Sequence, residues 1–90
     1  MWLPKDRRIL GLSLYHVRPV IDGFKLVFED GSERQIPYSV ERVPEGFLYS
    51  FTQPIVIRAM DKCRIEYHYS EPVEFLVNTE FVMENEDRAG

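Results

Sequence analysis

The stretch from residue 22 to residue 40, DGFKLVFEDGSERQIPYSV, constrains the fold more than any other part of the chain. Apolar residues occupy every second position over residues 24–28, which is the period of a strand with one face exposed to water. Asp30-Gly31 follows as a turn signal, and a second alternation runs over residues 36–40. The stretch therefore predicts a β-hairpin.

The length of the loop decides which residues of this hairpin share a face. A two-residue loop at Asp30-Gly31 would pair Leu26 with Gln35, an apolar residue with a polar one. A three-residue loop over residues 29–31 places Gly31 at the left-handed position of a type I turn with a bulge. Because a one-residue slip turns a whole strand over, we predict the three-residue loop. It pairs Phe24 with Ile36, Leu26 with Arg34 and Phe28 with Ser32, and its apolar face comprises Phe24, Leu26, Phe28, Ile36, Tyr38 and Val40.

A second hairpin is predicted further along the chain. Residues 55–60 are β-branched and apolar, and residues 63–69 alternate between apolar and polar. By the same comparison of faces, a three-residue loop over residues 60–62 is preferred. It pairs Ala59 with Cys63, Ile57 with Ile65 and Ile55 with Tyr67.

Other alternating runs extend the all-β pattern. They cover residues 9–17, 46–52 and 73–83, and Gln53-Pro54 separates the second of them from the strand at residues 55–60. No segment sustains a helical pattern over three turns. We therefore predict a single small antiparallel all-β domain of six or seven short strands, meander-like, as a sandwich or a small barrel. Its boundaries are an irregular arm at residues 1–8, the domain at residues 9–83 and an acidic flexible tail at residues 84–90.

Size and composition agree with one soluble domain. The chain has 90 residues, of which 44% are hydrophobic and 13% aromatic, enough for a thin core. No apolar run approaches the roughly 18 residues of a membrane helix, and the start has no hydrophobic stretch of signal-peptide length. A single cysteine, Cys63, excludes an internal disulfide. These features predict a cytoplasmic protein.

The charge is unevenly distributed. Residues 1–45 carry seven basic and seven acidic side chains, whereas residues 46–90 carry four and eight, for a net charge of −4. An acidic half disfavours nucleic-acid binding, which needs a positive surface, and slightly favours a basic protein partner. The alternative is that modest negative charge only maintains solubility.

No pattern of catalytic or metal-binding residues is present. His16 and His68 have no carboxylate or cysteine at metal-ligand spacing, and they would form a pH-sensitive pair only if the fold brought them together. Cys63 lies five residues before His68, an odd spacing that puts the two on opposite faces of a strand. We predict a non-enzyme without cofactor or metal.

The aromatic residues exceed what a thin core needs, and some are expected to contact a partner. We therefore predict a protein-binding module of accessory or inhibitor type, such as a phage or mobile element encodes. One alternative is an OB- or SH3-like barrel that binds nucleic acid through Lys5, Arg7, Arg8, Arg18 and Arg34. Another is a homo-oligomer, a homodimer in its simplest form, built by pairing of edge strands. The candidate protein-binding residues flank the Pro/Gly loop at residues 41–46 and are Tyr38, Phe47, Tyr49 and Phe51.

Overall fold

The computed structural model describes residues 6–58, 60–73 and 77–84. These residues form seven β-strands and no helix, which confirms the predicted all-β class. The strands are β1 (Arg7–Tyr15), β2 (Ile21–Phe28), β3 (Glu33–Gln35), β4 (Tyr38–Val43), β5 (Gly46–Ile57), β6 (Cys63–Tyr69) and β7 (Asn78–Glu84).

The strands form two antiparallel sheets that enclose the core. One sheet has four strands in the order β4-β5-β1-β7, and the other has three in the order β3-β2-β6. Consecutive strands pair in two hairpins, β2–β3 and β4–β5, and the chain passes between the sheets at the other connections. The core draws its buried residues from both sheets.

The predicted register of the first hairpin is confirmed. Leu26 lies opposite Arg34, and the backbone N–H of Ile36 donates to the carbonyl of Phe24 over 3.0 Å. Gly31 has a φ of 90°, the left-handed conformation that the turn requires and that glycine adopts without strain.

The turn is reinforced by its own side chains. The backbone N–H of Phe28 donates to the carbonyl of Ser32 over 2.9 Å, closing the loop. The Asp30 carboxylate accepts from the Ser32 hydroxyl and backbone N–H over 2.7 and 2.9 Å. Both bonds favour the ionised carboxylate, so the pKa of Asp30 lies below its ordinary value, the hydroxyl being the larger cause.

The predicted apolar face of this hairpin is correct as far as Ile36 and wrong at Val40. Phe24, Leu26 and Ile36 are buried, but Val40 is 44% exposed. At Pro37 the chain leaves the three-stranded sheet, and the next residues form the outermost strand of the other sheet. Val40 therefore lies on an end strand, with no further described strand beside it.

The predicted second hairpin is wrong. β5 continues through Gln53-Pro54 to Ile57, which lies opposite Arg7 of β1 and not opposite Ile65. Pro54 is tolerated because it falls in a stretch of β5 that β1 does not pair, so its missing N–H breaks no bond between these strands. β6 pairs with β2, and its partners there are Phe28 for Cys63, Leu26 for Ile65 and Phe24 for Tyr67.

Several predicted segments lie partly outside the described residues. Of the N-terminal arm, residues 1–5 are outside, and β1 already begins at Arg7. Ala59 and residues 74–76 are outside as well, and the last strand is described from Asn78 to Glu84. Of the acidic tail, residues 85–90 are outside.

Four aromatic residues join the two sheets, and we call them the aromatic junction. The ring centroid of Phe24, on β2, lies 5.2, 5.6 and 5.0 Å from those of Tyr38, Tyr49 and Phe51. The hydroxyl of the fully buried Tyr49 accepts a hydrogen bond from the Ile21 backbone N–H over 3.2 Å. Such edge-on contacts add to the free energy gained from burial alone.

The four-stranded sheet needs a glycine beside this junction. A Cβ atom at Gly11 would lie 2.0 Å from the backbone oxygen of Tyr49. The register between β1 and β5 also shifts next to Gly11, so the two backbones approach closely at this point. Gly11 thereby permits β5 to place Tyr49 in the core.

Candidate functional site

The four predicted protein-binding residues do not form an exposed patch. Tyr49 and Phe51 are buried, at 0% and 7% exposure, and Tyr38 and Phe47 are half-buried. The prediction is therefore wrong for Tyr49 and Phe51. Their alternation was read correctly as one shared face, but that face of β5 points at the three-stranded sheet, where Phe24 packs against both.

The outer edge of β4 is an open strand edge. Among the described strands, β4 is the last of the four-stranded sheet and pairs with β5 alone. Along an antiparallel ladder, hydrogen-bonded pairs of residues alternate with pairs that are not bonded. The Thr52 N–H donates to the Pro37 carbonyl over 3.0 Å, so the bonded pairs of β4 with β5 are those of Pro37 and of every second residue after it. The backbone N–H and C=O groups of Tyr38, Val40 and Arg42 therefore point away from β5. Within the described ranges, no residue bonds to them.

The side chains along this edge are accessible. Ser39, Val40, Glu41 and Arg42 are all exposed, and proline stands just outside the strand at both ends. None of the ion pairs found among the described residues involves Arg42. We call β4, with its outward backbone groups and these side chains, the β4 edge.

A cleft of about 450 Å³ lies at the end of the β4 edge. Its walls come from the end of β1 and from the β4–β5 turn, and they include Val17, which is 82% exposed. Gly46 lets this turn approach β1 closely, because a Cβ there would lie 2.0 Å from the Leu14 carbonyl oxygen. The residues that line the cleft include Tyr15, His16, Val17, Arg42, Pro44 and Phe47.

Tyr15 is anchored at this cleft. Its hydroxyl donates to the Glu80 carboxylate over 3.1 Å. This hydrogen bond to a carboxylate is the largest cause that raises the pKa of Tyr15 above its ordinary value. The phenol therefore stays neutral and acts as a hydrogen-bond donor at neutral pH.

The two histidines belong to separate sites. His16 lines the cleft beside Arg42, whereas Nδ1 of His68 lies 2.8 Å from the Asp22 carboxylate on the three-stranded sheet. His68 and Asp22 are both exposed, and they border another cleft of about 450 Å³. Since Cys63 lies opposite Phe28, and His68 opposite Gly23, the thiol is several residues along the ladder from this pair. In the described part of the chain, no three potential ligands cluster to hold a metal ion.

Among the described residues, five of the nine lysine and arginine side chains form ion pairs with carboxylates. Arg8 pairs with Glu84 and Arg18 with Glu71. Of the basic residues proposed for nucleic-acid binding, these two are thus neutralised in part, and Lys5 lies outside the described residues. Further pairs are Lys25 with Glu33, Lys62 with Glu29 and Arg64 with Glu66.

Sequence reasoning missed the β4 edge because it assigned Val40 to the core. The available signal was the pair of prolines at positions 37 and 44, which flank the six residues of β4 on either side. Proline flanking a short strand is typical of sheet edges, since it cannot donate to a ladder.

No helix among the described residues is long and apolar enough to cross a membrane. Comparison of the chain with known protein families, with characterised proteins and with solved structures found no match.

Proposed function

We propose that this protein is a non-catalytic protein-binding domain, and that it binds an extended segment of its partner as an added strand beside β4. The observation that carries this proposal is the row of outward backbone groups at Tyr38, Val40 and Arg42, which have no described partner. An open edge of this kind is a template for strand addition, in which main-chain hydrogen bonds provide affinity.

Side chains at the edge supply selectivity. Val40 offers an apolar contact at the centre of β4. The guanidinium of Arg42, which forms no ion pair with any described residue, lies at the end where the cleft begins. Alternate side chains of an added strand would face these two residues. The partner segment can then continue into the cleft and contact Val17.

A cytoplasmic setting suits this proposal. The only cysteine of the sequence, Cys63, is a free and half-buried thiol. An unpaired thiol is stable in a reducing compartment.

A matched pair of variants tests the proposal. Val40 and Val56 are 44% and 49% exposed, and Val56 lies opposite Arg8, away from β4. Lysine is a residue that natural sheets use to block edge pairing. We expect Val40→Lys to reduce partner binding at least tenfold and Val56→Lys to leave it unchanged.

The measurement is capture of partners by the tagged protein from lysate of the native host, with and without nuclease, followed by titration of the purified partner. Equal binding by wild type and Val40→Lys would contradict the proposal. Loss of all binding on nuclease treatment would instead favour the nucleic-acid alternative.

A further inference from the structure

We propose that the strand added to β4 is β4 of a second copy of this chain, antiparallel to the first, with Val40 opposite Val40 of that copy. This inference rests on the proposed function, because it names the occupant of the same edge. It gives a symmetric dimer in which the two four-stranded sheets join into one continuous sheet.

The outward backbone groups determine the register. In an antiparallel pair, hydrogen bonds form only where both residues point their N–H and C=O groups at each other. With Val40 opposite itself, Tyr38 falls opposite Arg42, so all three outward-facing residues of each copy are bonded. Each of these three pairs exchanges two hydrogen bonds, and the intervening pairs of Ser39 with Glu41 exchange none.

Registers shifted by one step lose these pairs. A dimer centred on Glu41 would set that carboxylate against its own copy, and would bring Tyr38 opposite Pro44, which has no N–H. A dimer centred on Ser39 would bring Arg42 opposite Ile36, whose N–H already donates to Phe24. The register centred on Val40 has neither defect.

The side chains complement one another in this register. Val40 contacts Val40 of the second copy, which covers an apolar side chain that is 44% exposed in the single chain. The guanidinium of Arg42, which has no described ion-pair partner, meets the half-buried ring of Tyr38, a favourable cation–π arrangement. On the opposite face, Glu41 lies across from Ser39, so no like charges are opposed.

The covering sheets do not obstruct this arrangement. Phe24 of the three-stranded sheet contacts Tyr38, the first residue of β4, whereas residues 39–42 are exposed and Arg42 borders the cleft. In an antiparallel dimer, the covered end of one β4 lies beside the open end of the other. The two three-stranded sheets are therefore offset along the joined strands.

The dimer is expected to be weak. Pairing along a strand of six residues buries much less than the roughly 1,200–2,000 Å² of a stable interface. We expect a dissociation constant on the order of 100 μM, so a dimer that forms and dissociates with concentration. Cross-linking detects such a species more sharply than a single mass measurement.

The first experiment uses disulfide capture in a Cys63→Ser background. Directly bonded residues in an antiparallel pair have Cα atoms about 5.5 Å apart, within the roughly 4.4–6.8 Å that a disulfide spans. Under mild oxidation we expect Val40→Cys to give a covalent dimer at least ten times faster than Val56→Cys, its control of similar exposure. Equal rates for the two variants would overturn the inference.

The second experiment measures mass by sedimentation from about 10 μM to about 1 mM, a range that brackets the expected dissociation constant. Wild type and Val56→Lys are expected to shift from monomer to dimer, and Val40→Lys to stay monomeric. A wild-type monomer throughout would overturn the dimer. If the wild type stays monomeric but Val40→Lys loses binding of another protein, the proposed function stands without the dimer. If Val40→Lys changes neither the mass nor the binding of another protein, both proposals fail.

Discussion

Tyr49 and Val40 lie directly opposite each other on β5 and β4, on the same face of one sheet, yet their surroundings differ completely. Tyr49 is fully buried in the aromatic junction, whereas Val40 is 44% exposed at the β4 edge. Phe24 of the three-stranded sheet packs against Tyr49 and against Tyr38, the first residue of β4, but not against Val40. Strand alternation decides which face a residue shares, and the extent of the covering sheet decides whether that face is buried.

This contrast assigns different roles to two neighbouring strands. Substitutions in the aromatic junction are expected to lower the free energy of unfolding, because they remove packing that holds the sheets together. Substitutions at the β4 edge are expected to change association and leave folding intact. The predictions below range from the largest expected effect on stability to the smallest.

Phe24→Ala is expected to have the largest effect. Phe24 contacts three other members of the junction from the opposite sheet and is 2% exposed. Removing a buried phenylalanine ring costs about 3–5 kcal/mol. Denaturant unfolding followed by circular dichroism measures the loss, and a loss below about 1 kcal/mol would show that the junction does not hold the sheets together.

Gly11→Ala is expected to destabilise the protein by about 3 kcal/mol, because the added Cβ would lie 2.0 Å from the Tyr49 backbone oxygen and force the strands apart. Gly23→Ala is the matched control. No atom lies within 4 Å of a Cβ at Gly23, so its effect should stay within about 0.5 kcal/mol. Similar unfolding midpoints for the two variants would contradict the close approach of β1 and β5.

Tyr49→Phe is expected to cost about 1–2 kcal/mol, because the buried N–H of Ile21 loses its acceptor. Tyr38→Phe, at a ring on the same face of the neighbouring strand, is the comparison, since no hydrogen bond of its hydroxyl is described among these residues. We expect the Tyr38 variant to unfold at nearly the wild-type denaturant concentration.

The same hydroxyl makes stability depend on pH in the alkaline range. Burial raises the pKa of Tyr49, and the bond from Ile21 offsets this only in part. Because the pKa of Tyr49 is raised in the folded state, its contribution to the free energy of unfolding is fully present below the ordinary pKa of 10.0. That contribution is lost as the pH rises above this value. Tyr15 and Tyr69 act in the same direction, so Tyr49→Phe should reduce the alkaline loss of stability without abolishing it. Unfolding free energies on both sides of this value test the difference.

Val40→Lys is expected to have the smallest effect on stability. Val40 is exposed, and its backbone N–H and C=O groups point away from β5. The change in the free energy of unfolding should therefore stay within about 0.5 kcal/mol. A variant that unfolds much more readily would show that Val40 belongs to the core. This stability measurement also validates Val40→Lys as a probe of binding.

The two predicted hairpins show how far sequence reasoning reaches. The hairpin around Asp30-Gly31 was predicted correctly to the residue, because its partners are close in sequence and its turn demands a glycine with positive φ. The hairpin at residues 60–62 failed because β6 pairs with β2, about 40 residues earlier in the chain. Alternation gave Ile65 its correct face, but no local signal identifies a distant partner strand.

The candidate site was less predictable than the fold. The alternation of Phe47, Tyr49 and Phe51 predicts a common face, and with Tyr38, on the other side of the Pro/Gly loop, these residues were predicted to form a surface patch. Whether such a face is covered depends on the width of the opposing sheet, which is a property of the assembled domain. The sequence places Val40 on the core face for the same reason, and therefore misses the centre of the β4 edge.

The most direct test of the account is residue-resolved amide NMR of the wild-type protein over increasing concentration. The central claim is that the β4 edge pairs with β4 of a second copy. It predicts that the amide signals of Tyr38, Val40 and Arg42 shift and gain protection from exchange as the concentration rises. The amides of Ser39 and Glu41, already bonded to β5, should change less. Signals at β4 that do not change, with changes confined to another strand, would contradict the claim.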